Sequence, residues 1–158
     1  MSKIMKKIVS QAGFLLTEAI DKLENAKSLS PIFLGYKEGS KEIRKTINGL
    51  SLEQSIPKAV SIYEENRENV DYAALIFPAE LNYDDERKSV IMVMAQNYQT
   101  QDYIIVSLPY SKKSDKIEVL EFELMDYSPF LIEQLPELEK SFVDGLLSYG
   151  DSKEIWKR

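Results

Sequence analysis

Between Met5 and Ala26, apolar residues return at spacings of three and four: Met5, Ile8, Ala12, Leu15, Ala19, Leu23 and Ala26. That is the period of one helical face, and Ile4, Leu16 and Ile20 widen the stripe. Lys3, Lys6, Lys7, Glu18, Asp21 and Lys22 fall mostly on the other faces. The pattern predicts an amphipathic helix laid on a sheet. The spacing 5, 8, 12, 15, 19 is also heptad-like, so a dimer seam is the alternative, weakened by alanine at two seam positions.

Ser30-Pro31 breaks this helix, Ile32–Tyr36 reads as a short strand, and Glu38-Gly39-Ser40 is a turn signal. Lys41–Leu50 is a second strand or a loose loop. Asn48-Gly49 then turns the chain into a second helix. Ser51-Leu52-Glu53-Gln54 has the capping-box pattern, and Leu52, Ile56, Ala59, Val60 and Tyr63 form the apolar face. Pro57 conflicts with that helix and predicts a kink, or a later start at Ser55.

From Asp71 the period changes to two. Tyr72–Phe77 is apolar on both alternating faces, as expected of a central strand, and Pro78 predicts that its pairing stops or bulges. Ser89–Ala95 is a second strong strand, and Tyr103–Leu108 a third, closed by Pro109. Ile117–Met125 is a fourth, with Leu120, Phe122 and Leu124 on one face and Glu121 and Glu123 on the other. The intervening turns, Asn82–Glu86, Asn97–Thr100 and Lys112–Asp115, are short and polar. Parallel neighbours would need crossovers of a dozen residues or more, so the four strands form an antiparallel meander. Ser128-Pro129 opens a last helical region that Pro136 restarts. Leu135, Leu138, Phe142, Leu146 and Tyr149 form its apolar face, and Gly150 is a candidate C-cap.

The expected fold class is therefore α+β over a single domain, residues 1–158. It has an N-terminal helix, short strands, a helix, a four-stranded antiparallel meander and a C-terminal helix, with the helices packed on one sheet face. The strand core, Ala73–Phe77, Asp85–Val93 and Ile105–Tyr110 with its Leu-Pro-Tyr ending, resembles that of small uncharacterised bacterial α+β proteins over roughly residues 30–126. The resemblance implies a helix preceding the meander and no particular activity.

Composition narrows the chemistry. The 158 residues are 44% apolar and 29% charged, enough to bury roughly two thirds of the unfolded surface. The net charge of −6 argues against a protein that binds nucleic acid by neutralising phosphates. With no Cys and no His, thiolate nucleophiles, Cys-ligated zinc and imidazole general bases are excluded. No nucleotide-cradling glycine motif occurs and no cofactor is implied. No apolar run approaches the ~18 residues of a membrane span, so a soluble, cytoplasmic protein is expected.

The charge is uneven. Residues 1–50 carry nine Lys/Arg against five Asp/Glu, whereas residues 115–144 carry two against nine, a net −7. Such an acidic face steers a basic partner. Tyr83, Tyr98 and Tyr110 stand at strand ends or turns, where a ring packs while its hydroxyl stays wet. Tyr83 and Tyr110 belong to one end of the sheet and Tyr98 to the other. Glu121 and Glu123, ~7 Å apart on one strand face, are the carboxylate pair a hydrolase would use. Asp84-Asp85-Glu86 is a possible hard-cation loop that lacks the glycine and spacing of a calcium site. Trp156 lies in a short tail where a monomer would find it hard to bury, which with the first helix predicts a homodimer. The leading expectation is a non-enzymatic binding protein for a basic protein partner such as a toxin. The alternative is a small-ligand binder or a carboxylate-dependent hydrolase.

Overall fold

The computed structural model describes residues 3–25, 29–37, 42–49, 51–114, 116–150 and 155–156; the side chain of Tyr83 and the Ala26 end of the first stripe lie outside the described part. Helix α1 runs over Lys3–Asn25 and buries the expected stripe from Met5 to Leu23, leaving Ile4 exposed at its start. Each fully buried Leu, Ile or Met of this face contributes about 1.5–3 kcal/mol. The seam residues are thereby consumed inside one chain: Met5, Ile8, Leu15, Leu16 and Leu23 are all buried against the sheet and the last helix. The heptad-spaced side chains of α1 therefore face the chain's own core.

The sheet has seven antiparallel strands: β1 (Ile32–Tyr36), β2 (Glu42–Thr46), β3 (Tyr72–Tyr83), β4 (Glu86–Asn97), β5 (Asp102–Lys113), β6 (Lys116–Val119) and β7 (Glu123–Tyr127). Their order is β2-β1-β3-β4-β5, with β6 and β7 both paired to β5. Between β2 and β3 the chain passes through α2 (Leu52–Glu65), which puts β1 between them. Along β3 to β5 the register aligns Ile76, Val93 and Val106 in one row and Leu75, Met94 and Ile105 in the next. Because side chains alternate, these two rows face opposite ways.

This alternation separates the helices. Ile32, Ile76 and Val93 pack with α1 and with Leu146 of α3 (Leu135–Leu147), while Phe33, Leu75 and Phe77 pack with Ala59, Ile62 and Tyr63 of α2. The helices pack on the sheet as an α+β fold requires, but the single helical face expected is occupied by α1 and α3 only. Helix α2 covers the other face over β1 and β3, because Tyr72–Phe77 is apolar on both sides and each side needs a cover.

Several local details differ from expectation. Strands β3 to β5 run past Pro78 and Pro109, each 12 residues long. Pro78 still pairs with Ile91, two residues beyond the last β1 partner, Ile76, where β3 has lost one neighbour already. The β3–β4 turn shrinks to Asp84-Asp85, both with positive φ (47° and 67°), the conformation of a tight primed hairpin turn. Helix α2 includes Pro57 and starts at Leu52, with Ser51 as N-cap but without a side-chain cap hydrogen bond. Helix α3 ends at Leu147 with Ser148 as its C-cap, not Gly150.

The expected fourth strand is split. Both β6 and β7 pair with β5, at Tyr110–Lys113 and Ile104–Ser107, and Leu120–Phe122 leave the strand between them. The break falls opposite Pro109, which has no N–H to offer and only accepts, through its carbonyl, from the Leu120 N–H at 2.9 Å. Phe122 turns into the core there, edge-on to Phe142 with ring centroids 5.3 Å apart.

Helices α1 and α3 meet at two glycines. A Cβ on Gly145 would lie 1.8 Å from the Ser10 carbonyl oxygen, and one on Gly13 would lie 2.3 Å from that of Phe142. The backbones therefore touch. Beside the crossing, the fully buried Thr17 hydroxyl donates to the Leu146 carbonyl at 2.9 Å and accepts from the Trp156 indole N–H at 3.0 Å. Trp156 is thus half-buried within its own chain, its ring 5.6 Å from Phe122, and is not the free anchor expected for a dimer.

Candidate functional site

The sequence-selected residues do not converge. Tyr83 ends β3 opposite Glu86. Tyr110 sits near the same end of the sheet on β5, half-buried against the α1 side, and burial followed by the Glu80 carboxylate pushes its hydroxyl pKa up. Tyr98, at the other end, donates its hydroxyl to the Tyr63 carbonyl and ties the β4–β5 turn to α2. Burial raises its pKa well above the ordinary value, so it stays protonated and structural. Tyr36 behaves likewise: burial, then Glu42, push it up to about 12. It stacks on Tyr72 at 5.1 Å under the Lys7 ammonium, 5.5 Å from the Tyr36 ring. The hydroxyls of Tyr110, Tyr98 and Tyr36 are all shifted away from neutral pH.

Glu121 and Glu123 are exposed. Glu121 lies in the break before β7 and Glu123 opposite Ser107, so the alternation that would put both on one strand face does not run through them. Neither lines a cavity described in the structure. The geometry a carboxylate hydrolase needs, two carboxyls across a pocket, is not made by this pair. Among the described residues, no three Asp or Glu side chains are grouped to hold a metal ion, and no helix is long and apolar enough to cross a membrane.

What the tertiary structure does make is an apolar cleft of about 260 Å³ on the α1/α3 side of the sheet. Its floor is Val93 and Ala95 of β4 with Ile104 and Val106 of β5, adjacent in register. Val9 and Ala12 of α1 form one wall, and Leu135, Leu138 and Phe142 of α3 the other. Phe122 and Leu124 close the sheet-edge side. Glu139, exposed on α3, is the single ionisable lining residue among those described. The cleft has two alanines in its lining, Ala12 of α1 and Ala95 of β4. It was missed from sequence because an alanine on an apolar stripe carries no sign of whether it is packed tight or opposite a void.

Apolar surface is also left uncovered on the described residues, and one of its side chains, Leu124, lines the cleft. Seven of the nine large apolar side chains that the described residues expose lie between positions 120 and 147, on the broken edge strand, on the 3-10 turn Pro129–Gln134 and on α3. Phe130 is 86% exposed and Ile132 59%, while Leu124, Met125, Val143 and Leu147 are exposed by 40–52%. This span overlaps the net −7 segment. Comparison with known proteins finds no matching family, no similar curated protein and no similar solved structure.

Proposed function

We propose that this chain is a non-enzymatic binding protein that holds a basic, amphipathic segment of a protein partner on the surface formed by β7, the 3-10 turn and α3. One observation carries the reading: the exposed apolar side chains and the acidic excess fall on the same stretch of chain. Scattered apolar residues on a protein surface need no explanation, but a concentration of them rimmed by charge is characteristic of an interaction site. Phe130 is the strongest anchor, because burying a fully exposed aromatic ring releases the most apolar surface. The carboxylates of Glu121, Glu123, Glu133, Glu137 and Glu139 would supply the field that draws in a basic partner and set its salt sensitivity.

The test is a titration of the intact chain with a synthetic Lys/Leu amphipathic helical peptide, alongside a Glu/Leu peptide of the same pattern, read by anisotropy. The Lys peptide should bind more tightly, its affinity should fall between 50 and 300 mM salt, and Phe130→Ser with Ile132→Ser should weaken it about tenfold or more. Equal binding of the two peptides, or indifference to the double substitution, would refute the reading.

A further inference from the structure

Beyond surface docking, we propose that the cleft between the sheet and helices α1 and α3 is a binding site for a small cationic amphiphile, an alkylammonium whose chain lies on the β4–β5 floor and whose ammonium meets Glu139. The proposal does not depend on a protein partner.

The first ground is the lining. The floor and both walls are aliphatic or aromatic, with Glu139 as the exception. Val93, Ala95 and Val106 offer no side-chain hydrogen-bond partner to a water, so an alkyl chain laid on this floor displaces water that the side chains do not hold. An apolar cavity of about 150 Å³ suffices for benzene. This cleft, at about 260 Å³, has room for a longer chain.

The second ground is that the space is held open. On one side, the glycine crossing sets the approach of α1 and α3, since Gly13 and Gly145 already meet opposing backbone atoms. On the other, Phe122 is held between the Phe142 ring at 5.3 Å and the Trp156 ring at 5.6 Å. Trp156 is in turn held by the Thr17 hydroxyl. The helix spacing and the Phe122 ring are thus held by backbone contact and by ring packing.

The third ground is charge. Glu139 lines the cleft and is exposed, so the one charge that the described lining carries is negative and open to solvent. Among the described residues no Lys or Arg lines the cleft, and Lys6, across from α3 on α1, is paired with Glu137 at 3.1 Å. An alkyl carboxylate entering here would set like charges together, and an alkylammonium would set opposite ones. The charge complement thus selects the amine over the fatty acid.

The experiment uses 1-aminooctane, 1-octanol and octanoate against the intact chain at neutral pH. Binding is read from Trp156 emission, which the Phe122 contact couples to the cleft, and from methyl NMR shifts of Val93, Val106 and Leu124. The expected order of affinity is amine, alcohol, carboxylate, with shifts confined to cleft methyls. Glu139→Gln should weaken the amine about threefold and leave the alcohol unchanged. Val106→Phe and Ala12→Met each fill the cavity from a different side, and whichever folds by circular dichroism should lose all three ligands. Octanoate binding as tightly as the amine would overturn the proposal, as would unchanged binding to a folded, filled variant. No methyl shifts with any of the three compounds would overturn it too. If that silence came with tight binding of the Lys/Leu peptide, the docking reading would stand and this one would fall.

Discussion

Alanine at position 145 would put a methyl group 1.8 Å from the Ser10 carbonyl oxygen and 2.7 Å from its carbon, both backbone atoms that cannot rotate away. Ordinary contact begins near 3.4 Å, so α1 and α3 would have to part by roughly 1.6 Å. Two effects of opposite sign compete. Within a helix, Gly→Ala favours folding by about 0.5–1 kcal/mol, through the entropy of the unfolded chain. Crowding a packed interface costs about 1–3 kcal/mol and occasionally more. A gap of this size would also forfeit much of the dispersion contact between the helices and strain the Thr17 hydrogen bond to Leu146. With crowding at the upper end of its range, Gly145→Ala should destabilise by about 2 kcal/mol or more. Urea unfolding followed by circular dichroism measures this, with Gly150→Ala as control. A Cβ there meets nothing within 4 Å, so the control should stay within about 0.5 kcal/mol of wild type. A Gly145→Ala protein as stable as wild type, or more so, would mean that propensity wins, and the close crossing described here would be wrong.

Phe77, 8% exposed on the α2 face, should cost about 3–5 kcal/mol on truncation to alanine, as measured by chemical denaturation. Asp85 has φ 67°, so Asp85→Ala should cost about 1 kcal/mol while Asp85→Gly should be neutral or stabilising; the reverse order would show that the turn is not the primed type. Because folding raises the Tyr36 pKa from its ordinary value of 10 to about 12, the unfolded chain releases that proton first. Stability should therefore be intact below pH 10 and decline as the pH rises toward 12, and Tyr36→Phe should make that decline shallower. Leu15, 1% exposed, should unfold the chain when changed to aspartate rather than alter an association constant, which sedimentation and circular dichroism together would distinguish.

Much of the architecture was legible along the chain. The stripe from Met5 to Leu23 could only be a helix with one buried side, and Ser89–Ala95 and Tyr103–Leu108, joined by a short polar turn, could only be antiparallel neighbours. These are consequences of backbone periodicity, which acts over a few residues and leaves its mark in the order of apolar and polar positions. What depends on distant segments left no such mark. Gly13 and Gly145 look like two weak helix positions until the helices are brought together. The strand read from Ile117 to Met125 looks continuous until it is laid against Pro109. Trp156 looks stranded until Thr17, 139 residues away, meets its indole. The carboxylates Glu121 and Glu123 looked like a pair because a regular strand would have made them one. The cleft itself is lined from α1, α3 and three strands at once, and the choice of sheet face for α2 depends on which side α1 and α3 already occupy. Each of these is set by complementarity between surfaces far apart in sequence, and it is the register and crossing of the packed elements that bring such surfaces together.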